Sequence, residues 1–255
     1  MYLPGFLKTP ATALIGKACY KTLIEDFNIF DVPCLKYSLS KGIGFGCVAG
    51  GAVVKVPQII KIVQASSTRG LSQASYLMET AGSFVVLAYN VRNGFPFSTY
   101  GETIFITVQN LIVLALMYTY AGRFTGLATT GSLLAALTYA LFSPPFVSSE
   151  MLALLQAATI PLFLASKVPQ IYDNYRNKST GQLSAFTVFN YLLGTLARVF
   201  TTIQEVNDVI ILTGFLLGCV FNAVLAGQMV YYWNSPANAK VHTGKKGRGD
   251  YNKLE

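Results

Sequence analysis

The chain has 255 residues, 53% of them hydrophobic and only 12% charged, with a mean hydropathy of +0.47. A soluble domain carries about 25% charged residues, so the composition argues against a soluble enzyme and against a disordered chain. The net charge of +8 lies mostly in loops and tails beside apolar runs, which suits anionic lipid headgroups and excludes nucleic acid as the natural partner.

In chain order, residues 1–40 read as an N-terminal lumenal or interfacial segment. Residues 1–5 lack the basic region and cleavage site of a signal peptide, so the first span is expected to do the targeting. Leu14, Ile15, Ala18, Leu23 and Phe27 recur at near-helical spacing with Lys17, Lys21, Glu25 and Asp26 between them, the pattern of a helix lying on a membrane. Cys19 and Cys34 either bond in an oxidising lumen or sit as two small buried hydrophobes, the simpler reading. Cys47 and Cys219 fall inside apolar runs and the single histidine, His242, lies in the polar tail. No metal site and no cofactor are expected.

Apolar runs follow at 41–63, 72–91, 103–121, 126–143, 151–175, 184–205 and 209–233, separated by polar and turn-forming clusters. Seven spans place the termini on opposite sides. Lys61, Arg69, Arg123, Arg176, Lys178 and the tail lysines and arginine Lys240, Lys245, Lys246, Arg248 and Lys253 share one side. Arg92 with Glu102, Glu150, and Glu205 with Asp208 share the other. The positive-inside rule makes the first side and the C-terminus cytosolic and the N-terminus lumenal. Lys8, Lys17, Lys21, Lys36 and Lys41 run against that assignment.

Self-similarity is the strongest internal signal. Lys55-Val56-Pro57-Gln58-Ile59 recurs as Lys167-Val168-Pro169-Gln170-Ile171, and at the same offset of 112 Ser67-Thr68 meets Ser179-Thr180, Gly82 meets Gly194, Asn110 meets Asn222 and Met117 meets Met229. The expected fold is therefore all-α: a polytopic membrane protein of seven transmembrane helices in two parallel three-helix repeats, 41–121 and 151–233, joined by a linker helix, 122–150, and ended by a basic cytosolic tail, 234–255. Repeats of this kind put binding sites near the midplane where they meet. Pro57 and Pro169 each remove an N–H and clash with the carbonyls of Val53 and Ala165. Gln58 and Gln170 are placed to satisfy those carbonyls, which makes each pair either a hinge or a fixed kink.

The duplicated Pro-Gln pair resembles the PQ-loop superfamily, which includes SWEET sugar transporters, cystinosin-like carriers and, by fold, the KDEL receptor. A narrower resemblance, over roughly residues 40–235, lies in Asn93-Gly94-Phe95-Pro96-Phe97-Ser98, in Leu155-Gln156-Ala157, in Thr180-Gly181-Gln182-Leu183-Ser184-Ala185 and in Ala197-Arg198-Val199-Phe200-Thr201-Thr202-Ile203-Gln204-Glu205. These stretches are similar to the mannose-P-dolichol utilization defect protein family of the endoplasmic reticulum. That resemblance implies a multi-pass protein of that membrane which makes dolichyl-phosphate-linked mannose and glucose usable by lumenal glycosyltransferases. Its implied partners are dolichyl-phosphate sugars or other membrane lipids and those transferases.

The sequence lacks the paired acids, nucleophile motifs and Walker motifs of an enzyme. Ionisable groups inside spans are functional candidates because lipid makes them expensive: Lys55, Glu79, Lys167 and Arg198. Lys55 and Glu79 lie at similar depth, about 10 Å in from the cytosolic end at 1.5 Å per residue, and are expected to pair. Lys167 has Tyr191 where its repeat mate has Glu79, so it either snorkels or meets an anion. Arg198, and more weakly Lys167, are candidates for a lipid phosphate; the alternative for Arg198 is a helix-end carbonyl or Glu205. Asn110 and Asn222 match by resemblance the asparagine pair that faces the sugar in SWEET-like transporters, and otherwise serve as interhelical bonds. Tyr89, Tyr118, Tyr120 and Tyr191 are stacking candidates or interface anchors. Gly42, Gly46 and Gly50, with Gly214 and Gly218, read as close-packing faces. The tail's basic cluster is expected to touch anionic lipid headgroups. A small-solute carrier and a non-transporting receptor for a lumenal ligand are the alternative functions.

Overall fold

In a computed structural model of the chain, residues 4–165, 167–180, 183 and 185–233 are described, and all regular structure among them is helical. The basic tail lies outside the described residues, as do Gly181, Gln182 and Ser184. Helix α1, Gly5–Tyr20, bends at Gly16, whose φ of 77° only glycine adopts freely, and runs into a π-helical turn, Lys21–Glu25. A disulfide joins Cys19 to Cys34, which corrects the expectation of two unbonded buried thiols. A salt bridge of 2.8 Å from Lys8 to Glu25 folds α1 against its own end.

The first long helix starts at Val32 rather than at 41. The Asp31 side chain accepts the Cys34 N–H at 3.0 Å and Pro33 occupies the first turn, a strong N-terminal signal that overrides the polar run behind it. This helix breaks into α2, Val32–Val53, and α3, Val56–Ala65, with Lys55 as N-cap of α3 and Pro57 in its first turn. Then come α4, Gln73–Arg92, α5, Phe97–Tyr120, and α6, Phe124–Phe142. The second repeat opens on α7, Ser149–Ala165, and α8, Lys167–Asn177, on either side of Ser166, which lies outside the described residues, followed by α9, Ala185–Glu205, and α10, Val209–Tyr231. Among the described residues, five stretches are long and apolar enough to cross a membrane: Val32–Ala65, Phe97–Tyr120, Phe124–Phe142, Ser149–Asn177 and Val209–Tyr231. Helices α4 and α9, of 20 and 21 residues, have the length of a span but carry Glu79, Arg92, Arg198 and Glu205.

Two compact units form: Met1–Gln156 with Phe200–Asp208, and Ala157–Val199 with Val209–Glu255. In the first, α5 packs on both α2 and α4, and α4 on α6. Its core is Ile62, Tyr76, Val113, Leu114 and Met117, flanked by Ile59 and Leu71. The core of the second is Val188, Leu225, Ala226 and Met229, flanked by Ile171 and Leu183. Six of these positions correspond at the offset of 112: Ile59 with Ile171, Leu71 with Leu183, Tyr76 with Val188, Val113 with Leu225, Leu114 with Ala226, and Met117 with Met229.

The turns repeat as well. Ser66 and Lys178 both take positive φ, 45° and 50°. In the first, Ser67 N–H donates to Ile62 O at 3.3 Å and Leu71 N–H to Thr68 O at 3.1 Å; in the second, Ser179 N–H donates to Asn174 O at 3.3 Å and Leu183 N–H to Thr180 O at 3.0 Å. A non-glycine residue in the left-handed region is uncommon, so its recurrence at matched positions is a structural duplication.

Close packing of α2 on α5 uses other glycines than expected. A Cβ on Gly44 would meet Ser98 Cβ at 3.0 Å, and one on Gly51 would meet Glu102 Cβ at 2.7 Å. Gly42, Gly46 and Gly50 have nothing within 4 Å of that position. Fourfold spacing identifies one helix face; which face meets a neighbour is decided by Ser98 and Glu102 on α5. In the second unit Gly214 does pack, against Ile160 at 3.3 Å, and Gly218 against Thr195 at 3.7 Å.

Candidate functional site

The α2–α3 break places a lysine at a helix start inside the span, and α4 and α5 supply its partners. Lys55 Nζ lies 2.6 Å from Glu79 Oε1 and 2.6 Å from Asn110 Oδ1, with the Tyr76 ring centroid at 4.9 Å. Side-chain exposure is 17% for Lys55 and 37% for Glu79, so the ion pair opens to one side, while Asn110 is fully buried. Asn110 Nδ2 has no hydrogen-bond partner among the described residues. The cluster thus offers a carboxylate acceptor, an ammonium donor and an unused amide donor within one small volume, the mixture that hydroxyl-rich ligands need.

Satisfaction of the break differs from the expectation for Gln58. The side chain that spans the gap is Gln109 of α5: its Oε1 accepts the Lys55 N–H at 2.8 Å and its Nε2 lies 2.7 Å from Gly51 O and 3.3 Å from Ala52 O. Gln58 sits instead beside the Tyr76 hydroxyl. Pro57 removes the donor for one carbonyl, but the helix responds by breaking two residues upstream, so the open groups lie toward α5 and out of reach of Gln58. In the second repeat Ser166 lies outside the described residues, and Pro169 sits within the helical stretch Lys167–Asn177. There the helix is held farther on: Gln228 Nε2 donates to Ile171 O at 3.0 Å, and Asn174 Nδ2 donates to Gln228 Oε1 at 3.0 Å. Gln170 is half-buried on α8.

Lys167 and Tyr191, the mates of Lys55 and Glu79, also meet: Nζ lies 5.1 Å from the Tyr191 ring centroid. The face of an aromatic ring stands in for the missing carboxylate. Asn222 is buried, and its Nδ2 reaches Tyr191 O and Thr195 Oγ1, each at 3.3 Å. Arg198 is buried in α9, 4% exposed. Tyr118 bonds Thr130 Oγ1 at 2.6 Å and Tyr89 donates to Asp208 Oδ2 at 2.7 Å, so both hydroxyls have structural partners. Tyr120 is exposed near the end of α5.

A second polar cluster, absent from the sequence reading, lies where α2, α5 and the end of α9 meet in the first unit. Glu205 Oε2 accepts from Lys41 Nζ at 2.7 Å and from the Ser98 hydroxyl, and its Oε1 accepts from Ser40 Oγ at 2.6 Å. Lys41 Nζ also donates to Ser98 Oγ at 3.2 Å, and its ammonium stands 5.2 Å from the Tyr37 ring centroid. The side chains of Lys41 and Glu205 are only 9% and 1% exposed. Glu205 ends α9, as the run 184–205 predicts, whereas Glu102, just ahead of the run 103–121, lies inside α5. The available signal was that Ser98 and Glu205 each close one of the stretches that carry the narrow resemblance.

Two repeats that share the Lys-Val-Pro-Gln-Ile motif at an offset of 112 make up an all-helical membrane protein. The PQ loop repeat family matches residues 39–99 and 151–211. The chain is similar to "Solute carrier family 66 member 3" of Homo sapiens, 29% identical over 199 residues that make up 74% of this chain and 92% of that protein. No solved structure matches the chain.

Proposed function

We propose that this PQ-loop protein supports the use of dolichyl-phosphate-linked mannose and glucose in the endoplasmic reticulum membrane, by delivering, presenting or flipping the lipid and without a covalent step. The observation that carries this reading is that two stretches resembling the mannose-P-dolichol utilization defect protein family converge on one buried cluster through Ser98 and Glu205. In the first unit the Lys55–Glu79–Asn110 cluster offers groups suited to a sugar head; taken by itself, the second unit offers Arg198 and Lys167 as candidate cations for a phosphodiester.

In this reading α4 and α9 are two further, more polar spans, seven spans set the termini on opposite sides, and the positive-inside bias assigns the N-terminus to the lumen and the tail to the cytosol. The Cys19–Cys34 bond suits an oxidising lumen. Lys8 and Lys41, two of the five lysines that oppose this orientation, are neutralised by Glu25 and Glu205.

The test is reconstitution in liposomes with short-chain mannosyl-phosphoryl lipids, comparing the natural chain with one carrying Asn110→Leu and Asn222→Leu. Faster movement or capture of the lipid by the natural chain supports the reading. Equal behaviour of the two chains, together with normal lumenal mannosylation in cells carrying Arg198→Gln, removes it. A second reading, a small-solute carrier, is favoured by the similarity to a solute carrier. Uptake of a soluble sugar or amino acid into the same liposomes, with no effect on the lipid, would establish it instead.

A further inference from the structure

Backbone groups opened inside a bilayer must find partners within the protein. Around Lys55 they find them in one side chain. Gln109, 5% exposed, accepts the Lys55 N–H at 2.8 Å and brings its Nε2 to Gly51 O at 2.7 Å, Ala52 O at 3.3 Å and its own helix at Phe105 O at 3.0 Å. Two N–H groups serve three carbonyls, so one is shared. The approach is possible because Gly51 has no side chain to hold α5 away.

The next residue on α5, Asn110, takes the other end of the same lysine, Nζ at 2.6 Å. Two consecutive residues of one helix therefore clamp Lys55 by its backbone and by its ammonium. The second repeat supplies the comparison within the molecule. It keeps the lysine, Lys167, and the asparagine, Asn222, but has Phe221 in place of Gln109, and phenylalanine offers no hydrogen bond. There Asn222 turns to Tyr191 O and Thr195 Oγ1 on α9, and Lys167 lies over the Tyr191 ring.

We propose that Gln109 is the positioning residue of the first repeat: it splices the α2–α3 break and thereby fixes Lys55 between Glu79 and Asn110. The inference goes beyond the lipid-sugar reading and holds whatever ligand the chain carries.

Backbone hydrogen exchange on the purified full-length chain in detergent micelles tests it. Gln109→Leu should speed exchange at the Lys55 amide about tenfold, the loss of one net hydrogen bond, and should make the Lys55 ammonium react faster with an amine-directed acylating reagent. Gln109→Glu adds a readout that packing alone would not move. Ionised, the new carboxylate has only acceptors to set against the Gly51 and Ala52 carbonyls; protonated, it regains a donor. Its thermal stability relative to the natural chain should therefore rise as pH is lowered from about 8 to about 5. The neighbouring charges Lys55, Glu79 and Glu102 are present in both chains, and their coupling to the new carboxylate sets where in that range the rise falls, not its direction. Unchanged exchange and acylation at Lys55 in Gln109→Leu, or a pH-independent stability difference for Gln109→Glu, overturns the proposal. Should both variants fail to fold, the natural chain decides: the Lys55 N–H must exchange as slowly as the interior amides of α5, and exchange at the rate of an unbonded amide refutes the splice.

Discussion

Lys41 and Glu205 are the two charges whose loss the structure should feel most. Both are almost fully buried, and Ser40 and Ser98 complete the hydrogen bonds of the carboxylate. Removing one member of a buried pair strands the other, at a typical cost of about 3–5 kcal/mol. Lys41→Met alone should thus lower the melting temperature in detergent markedly, whereas Lys41→Met with Glu205→Leu should recover most of the loss. A double variant as unstable as the sum of its singles would show that the pair is not the unit of stability. Lys55 and Glu79 differ because Glu79 is partly exposed and the pair is accessible to a ligand. Glu79→Gln keeps a hydrogen-bonding group of the same shape and should cost little stability while weakening ligand capture in liposomes. Full retention of capture would place the ligand elsewhere.

At the scale of elements, α2 distinguishes its glycines by what stands opposite. Gly51→Ala forces a methyl against Glu102 and should destabilise by about 1–3 kcal/mol, the range for overpacking. Gly46→Ala meets nothing within 4 Å and replaces a poor helix former with the best one, so it should be neutral or stabilise by up to about 1 kcal/mol. Thermal melts of the two single variants check the contrast; a larger loss for Gly46→Ala would place its face, rather than that of Gly51, in the tight packing. Helix breaks follow the same logic. Pro57 opposes a continuous run from α2 into α3, but where the chain parts, and which side chain covers the gap, depends on the opposing helix.

For the whole molecule, the N-terminal segment is tied to the first span by Cys19–Cys34, which closes a loop with a sequence separation of 15. A loop of that length is worth about 3 kcal/mol in the chain-entropy account. Cys34→Ser should lower the melting temperature, and in sealed microsomes the two thiols should react with maleimide only after reduction and opening of the membrane. Labelling from the cytosolic side of intact vesicles would reverse the orientation. Helix α9 contributes to both compact units, its residues up to Val199 to one and Phe200–Asp208 to the other. Its far end is held in the first unit by Glu205 and by the Tyr89–Asp208 bond of 2.7 Å.

The membrane class, the duplication and the Lys55–Glu79 proximity were all legible in the sequence, because each rests on spacing: apolar runs of span length, an unbroken offset, and matched depth on neighbouring helices. Three-dimensional packing alone decided the rest. Whether two cysteines bond, which glycine face is buried, and that Lys41 meets Glu205 across 164 positions all depend on which helix stands opposite. Gln109 shows why such facts escape a one-dimensional reading. Its amide matters only because α5 lies against the point where α2 opens its backbone, and no spacing along the chain encodes that meeting.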